Sequence, residues 1–315
     1  MIASLIGLAL LILLVSLLLA PIEALGWWAG WFGEGLDEPD ETDVTDYRAA
    51  GQSEDPHLYV VYLDGIAKAV HENYDEVQVL VDQLSAGLPE AVVLGDIMPY
   101  SPRNLGLTQD RPFARFWRRM LNLKLADGNS LLAFSINVRN LLQVLVAADR
   151  RYGPVYGRAE AQVILNSLVK AGYDLVVRKP IVIVGYSGGA QIGLVATPFL
   201  KRALGTRITM VSLAGVFASG PGMDDLEHFY NLEGSLDNVT AYGRVLFPGR
   251  WRVWRGSQWN RLKAARKLTH VPLGAMKHHG RGGYLDGESL LDGRDHRTLT
   301  GERLVDVIRG IGLDA

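Results

Sequence analysis

Gly185-Tyr186-Ser187-Gly188-Gly189 places one serine among glycines, between the apolar, β-branched residues 181–184 and the helix-compatible residues 190–194. A short buried strand, a sharp turn and a helix are expected in that order. A hydroxyl at the tip of such a turn is presented for nucleophilic attack, provided a neighbouring base takes its proton. The turn forces strained backbone on the serine, and strand and helix approach closely only where side chains are missing. Gly185 and Gly189 meet that need. Gly189 and Gly193 lie four apart on one helix face, which lets the helix pack tightly against a sheet. The competing reading is a glycine-rich turn with an incidental serine. The serine motif Gly-Asp-Ser-Gly-Gly of chymotrypsin-like proteases is similar only superficially, because Tyr186 stands where the aspartate would be.

The 315 residues, 48% of them hydrophobic, suffice for one large domain with a sizeable core. Cysteine is absent, which excludes disulfides, thiolate metal sites and cysteine nucleophiles while leaving the redox compartment open. The net charge of −2 is unevenly spread: residues 1–56 hold ten acids against Arg48 alone, a net −9 that leaves +7 for the remainder. A mildly basic body on an acidic neck does not fit a nucleic-acid binder.

Residues 2–20 form an uncharged, leucine-rich run of nineteen, about the length of a membrane-spanning helix. The positive n-region, shorter apolar stretch and small-residue cleavage site of a signal peptide are not evident, so an uncleaved anchor is favoured over a cleaved leader. Trp27, Trp28, Trp31 and Phe32 follow where an interfacial aromatic belt would sit. Residues 1–33 are therefore expected to be the anchor, 34–56 an acidic solvated linker, and 57–315 the folded domain. No basic residue flanks the apolar run before Arg48, so orientation is weakly encoded; nothing in the acidic neck retains it inside, which points to an extracytoplasmic domain.

Within that domain, residues 58–63, 91–94, 181–184, 208–213, 229–232 and 271–276 read as strands. Helices are expected through Val77, Leu80, Val81 and Leu84, over 157–171, after the serine turn with Pro198 kinking or shortening it, and over 300–311 with Leu304, Val305 and Ile308 inward. Residues 131–146 are strongly apolar but carry Asn137, Arg139, Asn140 and Gln143, which fits a buried helix and not a second membrane span. Residues 97–128, with Pro102 and Pro112, read as an irregular excursion. Strands alternating with helices imply a mainly parallel sheet covered on both faces.

The G-x-S-x-G turn between strand and helix resembles the nucleophile elbow of the α/β-hydrolase superfamily, and the resemblance extends over about residues 57–312. It implies an α/β-hydrolase fold and a triad in the chain order serine, acid, histidine. On that order Asp237, in the turn after 229–232, is the implied acid, with Asp224 and Asp225 in reserve. His278, directly after the last strand, is the implied base, ahead of its neighbour His279. Asp237 is also a plausible Asx-turn residue, and the two histidines could be surface imidazoles. His57, His71, His228, His270 and His296 read as structural or surface. The resemblance further implies an oxyanion hole from the Gly188 N–H and an N–H of the loop after the first strand, here Ile66. Asp64 departs from the family's common His-Gly at that place, and a carboxylate beside an oxyanion opposes catalysis unless it points away.

The function so implied is a membrane-anchored serine hydrolase acting on an ester, thioester or amide, lipid-like acyl compounds among them. No cofactor or metal is called for. The alternative is a non-catalytic, membrane-tethered binding protein on the same scaffold. A dinucleotide-binding protein is disfavoured, because residues 185–189 lack the G-x-G-x-x-G spacing. Two stretches mix arginine with large aromatics: 111–119, and 250–267 with Arg250, Arg252 and Arg255. Both are expected either to dock the domain on an anionic bilayer or to stack within the fold by cation–π contact. Oligomeric state is not legible.

Overall fold

The computed structural model describes Gly7, Leu11, residues 21–29 and residues 53–313, omitting 54, 71–72, 102–103, 105, 109–113 and 127–133. In chain order its elements are α1 (Ile22–Trp28), β1 (Leu58–Leu63), α2 (Asp75–Gly87), β2 (Ala91–Leu94), α3 (Ala114–Ala126), α4 (Phe134–Ala148), α5 (Gly153–Lys170), β3 (Ile181–Tyr186), α6 (Gly189–Leu204), β4 (Ile208–Leu213), β5 (Phe229–Glu233), α7 (Asn238–Leu246), α8 (Gln258–Ala264), β6 (Leu268–Pro272), a two-strand hairpin β7 (Leu290–Leu291) and β8 (Arg294–Asp295), and α9 (His296–Leu313). The six-stranded sheet has the order β2-β1-β3-β4-β5-β6, and every neighbouring pair is parallel.

Strand alternation divides the core into two layers. Tyr59, Val61, Leu63, Ile181 and Ile183 face one side with residues of α4, α5 and α6; Val60, Tyr62, Val182 and Val184 face the other with residues of α2 and α9. Strands buried on both faces read as continuous apolar runs, as β1, β3 and β4 do here. The fold is thus an α/β fold with a central parallel sheet between helices. Strand order reverses between β1 and β3, which are adjacent although β2 lies between them in the chain. A crevice opens at the carboxyl ends of strands at such a switch point, and the Ser187 turn stands there.

Several expected elements shift. The excursion 97–128 contains α3, with Met120 buried and Trp117 packed on the core, whose helical period is obscured in the sequence by Pro102 and Pro112 before it. Pro198 does not shorten its helix: α6 runs on to Leu204. The lost hydrogen bond costs about 3 kcal/mol in a helix interior, and the burial of Ala196, Leu200 and Leu204 offsets it. The last strand is 268–272 and not 271–276, because Pro272 ends the donor row and Gly274 adopts a left-handed φ of 79°. Helices α7 and α8 were not anticipated between 238 and 264. The closing helix begins earlier than expected, where Asp295 accepts hydrogen bonds from the Thr298 N–H and hydroxyl.

The expected anchor at 2–20 lies, apart from Gly7 and Leu11, outside the described residues, as does the linker at 34–52. Among the described residues no helix is long and apolar enough to cross a membrane. Helix α1 packs against α5, and Ala24 is buried in the core.

Candidate active site

The elbow forms because two glycines allow it. A Cβ on Gly185 would come within 2.5 Å of the Ala190 backbone, and one on Gly189 within 2.2 Å of the Leu63 carbonyl oxygen. Any larger residue would push α6 off β1. Ser187 itself takes φ 51°, a left-handed conformation that costs a non-glycine residue about 1–3 kcal/mol. Its backbone is held by a Ser187 N–H bond to the Leu213 carbonyl (2.9 Å) and a Val216 N–H bond to its own carbonyl (3.0 Å). The strained turn is therefore clamped by β4 and the loop after it.

Three side chains from separate parts of the chain meet here. His278 Nε2 lies 2.8 Å from Ser187 Oγ, and His278 Nδ1 lies 2.9 Å from Asp237 Oδ2. The Asp237 side chain is fully buried and that of His278 nearly so. The two oxygens of Asp237 have separate partners. Oδ1 caps α7 by accepting from the Val239 and Thr240 N–H groups, while Oδ2 faces the imidazole.

Asp237 has a further partner with no signal in the sequence. The buried Tyr284 hydroxyl donates to Asp237 Oδ2 (2.8 Å) and accepts from the Gly234 N–H (2.7 Å). Burial pushes the Asp237 carboxyl up, but the hydrogen bond and charge of His278, with bonds from Thr240 and Tyr284, outweigh it and hold the carboxyl below its ordinary range. Tyr186 is a second unanticipated support. Its hydroxyl donates to the His278 carbonyl (2.7 Å), and its ring stacks on the imidazole at 5.8 Å.

The reserve residues lie elsewhere. Asp224 forms a two-pronged ion pair with the exposed Arg261 (2.6 and 2.7 Å); among the described residues the carboxylate paired with His278 is Asp237. His279 is exposed, and its ring stands edge-on to that of His278 at 6.0 Å. Of the other histidines, His228 meets Thr269, His270 lies beside Asn231, His57 pairs with Glu90, and His296 is buried against the Gly283 carbonyl. His71 lies outside the described residues.

The two expected oxyanion donors are neighbours. A Cβ on Gly65 would meet Ser187 Cβ at 3.4 Å, and one on Gly188 would meet Ile66 Cγ2 at 2.9 Å, so the loop after β1 lies directly over the elbow. Among the described residues neither the Gly188 N–H nor the Ile66 N–H is taken by an acceptor. Asp64 does not face this pair as a bare charge: its Oδ1 accepts from the Gly65 N–H (2.7 Å) and the Tyr62 hydroxyl (3.3 Å). The carboxylate fastens the loop. Burial first, and the Asp64 charge second, raise the hydroxyl pKa of Tyr74 to about 12, leaving a neutral phenol there.

The polar residues of α4 find their use at the same loop. Asn140 Nδ2 donates to the Ile66 (2.9 Å) and Lys68 (2.7 Å) carbonyls, and the Tyr100 hydroxyl donates to the Asp64 carbonyl (2.8 Å). With carbonyls pinned from one side, the N–H groups of the loop are held toward the other. A tethered loop loses little freedom when charge develops beside it, which is the condition for effective oxyanion stabilisation.

Two predictions arise from this network. Tyr284→Phe removes a donor to a charged acceptor and strands the buried Gly234 N–H, so unfolding in urea should show a loss of about 1.5–3 kcal/mol. The pH prediction follows from Asp237. Its folded pKa lies below the unfolded value, so the stability it contributes is complete above the ordinary carboxylate range and is lost as pH falls through the lowered folded value. Melting temperature measured from about pH 6 down to pH 2 should therefore fall less steeply in Asp237→Asn than in the parent chain. Parallel curves would show that the carboxylate is not held ionised by the fold.

Compared with known proteins, the chain matches no protein-family model, and no curated protein is significantly similar to it. The α/β class of the fold rests on the sheet and its helices, and the site's chemistry on its own geometry.

Proposed function

We propose that this protein is a serine hydrolase of the α/β-hydrolase type, cleaving an ester, thioester or amide. The observation that carries the reading is the continuous hydrogen-bonded line Ser187–His278–Asp237, in which each member has the partner its role requires. The rest of the site fits that role: two unoccupied N–H donors beside the serine, a tethered loop, and a carboxylate kept ionised.

In this mechanism Ser187 Oγ attacks the acyl carbon while its proton passes to His278 Nε2. The carbonyl π pair moves onto oxygen, where the Gly188 and Ile66 N–H groups receive it. Collapse of the tetrahedral intermediate breaks the bond to the leaving group, which takes the proton from His278 and leaves an acyl ester on Ser187. Water then repeats the sequence, with His278 as base and then acid, releasing the carboxylic acid and restoring the serine. Asp237 holds the Nδ1–H tautomer and stabilises the imidazolium, and remains ionised throughout. No cofactor enters this sequence.

A fluorophosphonate tests the reading directly, since phosphorus is attacked by an activated serine and the adduct is stable. Covalent labelling of the full-length chain at Ser187, absent in Ser187→Ala, is the expected result. A folded chain that stays unlabelled would favour a binding protein built on the same scaffold.

A further inference from the structure

The arginine-aromatic stretch at 250–267 divides in the structure. Arg250 is not at the surface: its guanidinium is buried, stacked 4.0 Å from the Phe217 ring and 4.7 Å from that of Trp259. It belongs to the fold. Arg252 and Arg255, by contrast, are exposed together with Trp254, and among the described residues neither has an acidic partner.

These residues adjoin a helix that is turned inside out. Helix α7 buries only Thr240 and Gly243, which lets it sit close against Val216, and presents its larger apolar residues Tyr242, Val245 and Leu246 to solvent. Spaced i, i+3 and i+4, they form one stripe. The Trp251 indole N–H donates to the Arg244 carbonyl near the end of α7 (2.8 Å), joining the helix to the following segment. Val245 is 69% exposed, Val253 75% and Trp254 58%. An ordinary surface helix would bury such a stripe.

We infer that the outward face of α7 and the 251–255 segment together form a surface that docks on an anionic lipid bilayer. Aliphatic and tryptophan side chains beside unpaired arginines match the acyl boundary and the charged headgroups respectively. A second copy of the chain fits poorly. The face carries the exposed Arg252 and Arg255, and residues 238–255 contain no Asp or Glu, so two such faces brought together would oppose like charges. Asp237 caps the first turn of α7, so a docked α7 holds the Ser187 site close to the membrane. That this makes the substrate an acyl lipid rests on the serine-hydrolase reading; the docking itself does not.

The absence of cysteine allows a single-site test in the full-length chain. Val253→Cys is labelled with a polarity-sensitive fluorophore, and Val176→Cys, exposed in the turn before β3, serves as the control. Vesicles contain phosphatidylcholine with or without phosphatidylglycerol, plus a lipid-borne quencher. Quenching at 253 and not at 176, only with the anionic lipid and relieved by salt, is the expected result. Arg252→Gln with Arg255→Gln should lower the ratio of docked to undocked protein by about 30-fold, since each basic residue near the lipid contributes about 1 kcal/mol. Absence of quenching at 253, or equal quenching with phosphatidylcholine alone, overturns the inference. Shielding of the probe that grows with protein concentration without lipid assigns the face to self-association and overturns it as well. Fluorophosphonate labelling of the same samples reports on Ser187 separately, so the two readings can fail independently.

Discussion

Ser187→Ala should abolish hydrolysis of short activated esters while the protein stays folded. In a protease with this constellation, losing the nucleophile alone costs about 10⁶ in kcat. The hydroxyl's partner in the site is His278 Nε2. The elbow's geometry is set by backbone bonds to Leu213 and Val216, which alanine keeps. The left-handed φ of 51° is no harder for alanine than for serine, so the change in stability should stay within about 1 kcal/mol. Ester turnover and thermal unfolding, measured on the same preparation, check both halves. Undiminished turnover in the variant would remove Ser187 from the mechanism.

His278→Ala should be as damaging to activity, again by about 10⁶, because in the protease example the base and the nucleophile act as one unit. His279→Ala should cost little. The neighbours differ in what they reach: the His278 ring touches both Ser187 and Asp237, while the exposed His279 reaches neither. His278 also loses more when removed, since the buried Asp237 carboxylate would keep Tyr284 and the α7 N–H groups but lose the imidazole that bonds its Oδ2. Stability at neutral pH should therefore fall in His278→Ala and not in His279→Ala. The same esterase assay and melting curves decide it. Loss of activity in the His279 variant alone would transfer the role, and activity in both variants would dissolve the triad.

Much of the site was legible because short-range chemistry wrote it. The elbow is encoded in five consecutive residues: the close approach of Ala190 and Leu63 backbone leaves no room for a Cβ at 185 or 189, so the requirement for glycine is local and visible. The strands β1, β2, β3 and β4 are apolar runs buried on both faces, and such runs need no partner to be recognised. The failures have equally specific causes. Helix α7 was missed because its apolar stripe faces outward, so its periodicity points away from any core. Pro102 and Pro112 mask the helical period of α3 that follows them, and the pattern for β6 reads three residues late because Leu273, Ala275 and Met276 continue it past the point where Pro272 and Gly274 end the strand.

The sequence by itself determined that a serine sits on a tight turn between a strand and a helix and that the sheet is parallel and two-faced; the acid and the histidine were implied only by the resemblance to α/β-hydrolases. The turn and the sheet are matters of local sterics and of burial period, which neighbours in the chain decide. Only the tertiary structure placed the His278 ring, and not that of the adjacent His279, between Ser187 and Asp237, with the Tyr186 hydroxyl bonded to the His278 carbonyl. It alone brought Tyr284 across 47 residues to Asp237, Asn140 across 74 to the Ile66 carbonyl, and Asp64 Oδ1 onto its own loop. It likewise separated the buried Arg250 from the exposed Arg252, two residues away. Hydrogen-bond partners and burial of that kind depend on which surfaces meet when the chain closes on itself, and no periodicity or spacing along the chain encodes the meeting.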